Sequence, residues 1–95
     1  MVAKVIKVFP LESREYTDRQ GQSQVFKSKG FILHDGFSSF YAEAVQGDAE
    51  SIEALNVPDS AIVSVHMVCQ AREYKTKNDA VKYANEFTIQ RMMLL

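Results

Sequence analysis

Apolar and polar residues alternate along most of this chain with a period of two, the mark of half-buried strands. From Val2 to Phe9, Val and Ile are interleaved with Lys4 and Lys7, and Pro10 stops the run. That composition and punctuation predict a first strand. The lysines inside the apolar run set it apart from a secretory leader. Arg14 to Gln22 contains Asp18-Arg19-Gln20-Gly21, where Gly21 is free to take a positive φ, and reads as a turn. Gln24 to His34 predicts a second strand in which neither face is apolar throughout. Phe26, Ser28, Gly30 and Ile32 share one side; Val25, Lys27, Lys29, Phe31 and Leu33 share the other. Gly30 sits where the pattern changes, and a glycine inside a strand marks a bulge or a sharp bend.

Asp35-Gly36 between two apolar runs is a hairpin signal and places a third strand at Phe37 to Gln46. Gly47 breaks it. Asp48 to Leu55 reads as a short helix, with Asp48 as its N-cap and Ile52 and Leu55 on one face. Asn56-Val57-Pro58-Asp59 ends that helix. Ser60 to Tyr74 is the longest predicted strand. Its residues Ala61, Val63, Val65, Met67, Cys69 and Ala71 form an unbroken apolar face, which makes Cys69 a buried, inert thiol. Lys75 to Lys82 is a polar loop, and Tyr83 to Met93 is the fifth strand. The order β-β-β-α-β-β predicts an all-β fold with one short helix. Its expected form is a five-stranded Greek-key barrel of the OB type, with the helix between strands three and four, spanning residues 1–95 as one domain. An open antiparallel sheet carrying one helix is the rival.

Composition narrows the function classes. The 95 residues are 46% hydrophobic and 24% charged, which suits a chain with a core and not a disordered one. Eleven Lys and Arg face twelve Asp and Glu, for a net charge of −1. Overall basicity therefore does not mark a nucleic-acid binder, and only the placement of the cations can. No apolar stretch approaches the ~20 residues that cross a bilayer, so no membrane span is expected. A single cysteine excludes an internal disulfide and fits a reducing, cytoplasmic compartment. Neither His34 nor His66 has the neighbours of a closed zinc site. No phosphate loop, nucleophile elbow or metal motif occurs, and Glu43, Asp48 and Glu50 have no second constellation beside them. Neither an enzyme nor a bound cofactor is expected. The apolar end Arg91-Met92-Met93-Leu94-Leu95 either extends the fifth strand or covers a partner subunit. A barrel this small gains from self-association, so a homodimer or homotetramer is expected.

Two segments carry a family likeness. One is Phe40-Tyr41-Ala42-Glu43-Ala44-Val45-Gln46-Gly47-Asp48-Ala49-Glu50. The other is Gln70-Ala71-Arg72-Glu73-Tyr74-Lys75-Thr76-Lys77-Asn78 followed by Tyr83-Ala84-Asn85-Glu86-Phe87. With the early Gly21 turn they resemble the bacterial single-stranded DNA-binding protein family over most of the chain. The resemblance implies a homo-oligomeric OB barrel that binds single-stranded DNA without catalysis, in replication or repair; RNA is a further candidate partner that the sequence does not separate from DNA. It implies stacking roles for Phe40, at the start of strand three, and for Tyr74, at the base of the loop between strands four and five.

A binder of this kind needs a cationic path for phosphates and flat rings for bases. Lys27, Lys29, Arg72, Lys75 and Lys77 are the candidate cations, and Phe40 and Tyr74 the candidate rings. Arg14, Tyr16 and Tyr83 are further candidates, and Arg14-Glu15-Tyr16 is echoed by Arg72-Glu73-Tyr74. If Tyr41 and Glu43 face outward, Phe40, Ala42 and Ala44 point into the core, and parity alone leaves both arrangements open. A protein-interaction module on the same barrel is the alternative. Gln46 and Ala42 stand where the family carries an aromatic and a basic residue, and the near-neutral charge points the same way.

Overall fold

The computed structural model describes residues 1–95. Its elements are β1 (Val2–Val8), β2 (Glu12–Thr17), β3 (Ser23–His34), β4 (Ser39–Val45), α1 (Gln46–Glu53), β5 (Ile62–Lys75) and β6 (Val81–Leu94). The five expected strands and the helix are present in the expected order. The added strand is β2, which falls partly in the segment read as a turn. Every residue of β2 is exposed, so it has no apolar alternation to betray it. Pairing with β3, from Glu12 opposite Ser28 to Thr17 opposite Ser23, makes it a strand. Asp18 closes the hairpin by accepting the N–H groups of Gln20 and Gln22, each at 2.9 Å. The Gln22 N–H above all holds the Asp18 carboxyl below its usual range.

The sheet closes on itself. Its order is β1-β5-β6-β4-β3, and β3 pairs back to β1; β2 hangs outside this ring on the far part of β3. All pairings are antiparallel except the short parallel contact of β4 with β6, at Ala42–Phe87 and Glu43–Thr88. An open sheet would leave β1 or β3 as an edge, and closure removes that edge.

Inside the ring lies one cluster of buried side chains. Val5, Phe31, Leu33, Val63 and Ile89 are its largest fully buried members. Burying each stabilises the fold by roughly 1.5–3 kcal/mol. α1 closes one end, with Ala49 and Ile52 inward. The helix starts earlier than the sequence predicts. Val45 is its N-cap without a side-chain cap, Gln46 turns the chain at φ 54°, and Asp48 lies in the first turn instead of capping it.

Two register shifts let flat strands curl. One lies between Val5 and Lys7 of β1, leaving Ile6 unpaired; the other faces His66 and Met67, leaving Gln90 of β6 unpaired. The second explains why Ile89 and Met92 both point inward although they are three residues apart. Gly30 is not a bulge: β3 and β4 stay in unbroken register from Ser28–Val45 to His34–Ser39. At Gly30 the other edge of β3 changes partner, from β2 to β1.

Beyond the ring the chain forms two bare arms. No residue is buried between Glu12 and Val25, nor between Cys69 and Glu86. The apolar face of β5 runs past the last core contact into the second arm, so Cys69 is exposed and not buried as the alternation implied. No helix is long and apolar enough to cross a membrane.

α1 also takes up two cations of β3. Lys27 pairs with Glu50, and Lys29, only 7% exposed, reaches Glu53 at 2.5 Å. Acids three apart on a helix match lysines two apart on a strand. The Glu53 Oε2 atom is out of solvent with no hydrogen-bond donor aligned on it, so its contact with Lys29 is an ion pair. Glu53→Gln is expected to strand the Lys29 charge and cost about 1–3 kcal/mol, less than for a fully buried pair because Glu53 is partly exposed. Lys29→Met, which removes the charge and keeps the apolar stem, should cost less in chemical denaturation. Equal or reversed costs would mean that the pair contributes nothing.

Candidate nucleic-acid interface

Inward Phe31, Leu33, Ala42 and Ala44 force their neighbours Ile32, Tyr41 and Glu43 to the outside. The shift at Ile6 brings Lys7 opposite Ile32, and so onto the same outer face. Phe9 follows, anchored by its N–H donating to the Gly30 carbonyl at 3.0 Å. The side chains then touch in sequence. The Lys7 Nζ lies 5.1 Å from the centre of the Phe9 ring, and Phe9 meets Tyr41 edge-on with centroids 5.9 Å apart. Further along, Arg14 of β2 covers its cross-strand partner Phe26 at 5.7 Å. Lys4 stands opposite His34 on the outer side of β1.

Tyr41 is the centre of this face, and Gly30 gives it room. A Cβ on Gly30 would lie 2.8 Å from Tyr41 Cε2, closer than van der Waals contact allows. The Tyr41 hydroxyl donates to Glu43 Oε2 at 3.1 Å. Partial burial, and then the Glu43 carboxylate, push the Tyr41 phenol above its usual value of 10.0, so the ring stays neutral at physiological pH. Clefts open on either side. Toward β6 lies one of about 390 Å³, whose lining includes Phe40, Tyr41, Glu43, Asn85 and Phe87. Toward β2 lies one of about 250 Å³, lined by Glu12, Arg14, Phe26, Ser28 and Glu43. Glu43 borders both.

The residues singled out from sequence are distributed over several surfaces. Lys27 and Lys29 are held by α1, and the burial of Lys29 leaves its ammonium turned away from any phosphate path. Arg72 pairs with Glu86 across the β5–β6 arm at 2.9 Å. Phe40 has the inward parity of Ala42 and Ala44, is half-buried, and packs against Phe87 with centroids 4.9 Å apart. Its exposed part borders the larger cleft. Tyr74 shares one side of the arm with Arg72 and Lys82, as their cross-strand register dictates, whereas Lys75 and the exposed Tyr83 lie on the other side. Lys77 is in the loop at the arm's tip. Arg14 and Tyr16 share the outer side of β2 with the Tyr41 face. The structure thus brings Arg14, Tyr16 and the rim of Phe40 toward one face, sets Arg72 and Tyr74 on the adjoining side of the β5–β6 arm, and scatters the rest.

Sequence reasoning passed over Lys7, Phe9, Phe26, Tyr41 and Glu43. For Tyr41 the sequence shows only that it faces opposite to Ala42 and Ala44; the closed ring turns that small pair inward and so puts Tyr41 outside. For Lys7 there was no signal, because its parity depends on the shift at Ile6. His34 caps its own turn by accepting the Gly36 N–H at 3.0 Å, as a solvated turn residue does. Among all 95 residues no group of His, Cys, Asp and Glu is arranged to hold a metal.

Gly30→Ala is expected to displace the Tyr41 ring and cost about 1–3 kcal/mol of stability. In a Tyr41→Ala background the same change should cost less, because the obstruction is gone. A thermodynamic cycle measured by urea denaturation reads the difference, and strict additivity would refute the contact.

No protein-family model matches this chain, and no curated protein matches it.

Proposed function

We propose that this protein is a non-catalytic binder of single-stranded nucleic acid that uses the outer face of β1, β3 and β4. The observation that carries this reading is the contiguous run Lys7–Phe9–Tyr41, with Arg14 over Phe26 on the same outer face across the smaller cleft. Alternating free cations and flat rings are what a sequence-tolerant strand binder needs: ammonium or guanidinium groups for phosphates, and π faces for bases. Lys4, Lys7 and Arg14 form no ion pair, unlike Lys27, Lys29 and Arg72. The strand order, the parallel β4–β6 contact and the helix between β4 and β5 support a five-stranded OB-type barrel, with β2 as an added hairpin strand. Likeness to the bacterial single-stranded DNA-binding protein family agrees with that reading. The Tyr74 side of the β5–β6 arm, with Lys82 beside it, extends the reach of the site.

A specific observation favours a second reading, a protein-interaction module. Acids interleave with the cations along Lys27, Lys29 and Arg72, and Glu12 and Glu43 stand within the Tyr41 face. A labelled pyrimidine oligonucleotide of about 16 nucleotides separates the two readings. Anisotropy should show binding at low salt with a log–log salt slope of about −2, as expected for three phosphate contacts. Phe9→Ala and Tyr41→Ala should each weaken binding by about 1–3 kcal/mol. No binding at low salt would leave the protein-interaction module standing.

The outer side of β1, β5 and β6 supports self-association. Val2, Ile62, Met93 and Leu95 are exposed there, at 44–70% of their surface, beside Ser64, and Lys4, opposite Ile62, marks the border with the nucleic-acid face. The chain's apolar end continues β6, and the Leu95 N–H donates to the Ile62 carbonyl at 3.0 Å. Light scattering should give a dimer or tetramer, and Met93→Asp should lower the mass toward the monomer. A wild-type monomer at working concentration would remove the proposal.

A further inference from the structure

The cleft between β4 and the base of the β5–β6 arm has a chemistry that sequence-tolerant binding does not require. Its floor is aromatic: Phe40 and Phe87 are half-buried, with ring centroids 4.9 Å apart. Its rim is polar and carries negative charge. Glu43 and Glu86 can only accept, Asn85 and Thr88 can both accept and donate, and no lysine or arginine lines the cleft. Glu86 is already engaged by Arg72 at 2.9 Å. Glu43 uses only Oε2, which takes the Tyr41 hydroxyl, so its Oε1 is left without a partner on a half-buried side chain. A carboxylate accepts and cannot donate, so the group that meets Glu43 Oε1 must be a hydrogen-bond donor. A phosphate is repelled from this rim, while a base can stack on the floor and offer its edge.

We propose that this cleft reads bases, favouring those with an exocyclic amino group over thymine; the inference rests on the nucleic-acid reading of the same face. Cytosine offers a donating N4 amino group to Glu43, a pairing known from carboxylates that read cytosine. Thymine places carbonyl oxygens on either side of its one N–H, so a carboxylate facing that edge meets at least one acceptor and is repelled by it. The volume of about 390 Å³ has room for one base and part of its sugar. Cations along Lys7 and Arg14 hold the backbone outside, and Tyr41 borders both the track and the cleft.

Homopolymers of deoxycytidine and deoxythymidine of equal length test this, since the two bases are alike in size and differ chiefly at the edge. Anisotropy at fixed salt and slightly alkaline pH, where cytosine is unprotonated, should give roughly tenfold tighter binding to the cytosine strand. Glu43→Gln, which can both donate and accept, should bring the ratio within about twofold and tighten thymine binding as a negative charge is lost. If that variant does not fold, Glu43→Ser reads the same ratio. Equal affinities in the wild type, or a preference that survives the substitution, overturn the cleft assignment while leaving strand binding intact. Failure of both homopolymers to bind overturns the nucleic-acid reading itself, and this inference with it.

Discussion

Strand β1 pairs with β5 through Val2–Lys4 and with β3 through Lys4–Val8, and this double pairing makes the sheet a ring. Everything else depends on that closure. A flat sheet of these strands would have one face to bury and nothing of its own to bury it against. Curled, the strands turn Val5, Phe31, Leu33, Val63 and Ile89 toward one another, and α1 is enough to cover one end. The unpaired residues Ile6 and Gln90 give the curl its local twist, and each resets the parity of its strand.

Closure also sorts the surface into parts of different stability. The ring holds the buried cluster, whereas the β2–β3 hairpin and the β5–β6 arm have backbone pairing and no burial. Segments of that kind open locally at little cost. On the proposed reading, a nucleic-acid strand laid on the Tyr41 face would lie between these two arms, with the ring supplying position and the arms reach. That division suits a ligand without fixed shape.

Charge placement bears on the proposed reading more than total charge does. A chain with net charge −1 is a poor candidate for contact with phosphates when judged by totals. The fold spends two glutamates of α1 on Lys27 and Lys29, and Glu86 on Arg72, while Lys4, Lys7 and Arg14 remain unpaired on the outer face. Three of the five cations that the sequence makes most conspicuous are thus neutralised, and the other two, Lys75 and Lys77, lie at the far end of the second arm. Lys29 in particular has the inward parity of Phe31 and Leu33, and an inward lysine in a small ring needs an acid above it.

By itself, the sequence determined the order of strands and helix, because period-two alternation and turn residues such as Asp18, Gly21, Asp35 and Gly36 act over a few neighbouring positions. It also determined that Tyr41 and Ala42 face opposite ways. Only the tertiary structure decided which of them faces out, since parity is a relation between strands and needs a partner to have a sign. It decided likewise that β2 is a strand, that Cys69 lies beyond the core, and that Gly30 accommodates a ring and not a bulge. Those facts come from residues far apart in the chain meeting across a closed sheet: Glu12 with Ser28, Gly30 with Tyr41, Lys29 with Glu53. The Lys7–Phe9–Tyr41 run was illegible for the same reason, because one unpaired residue at position 6 turns Lys7 from the face its spacing implies to the face it occupies.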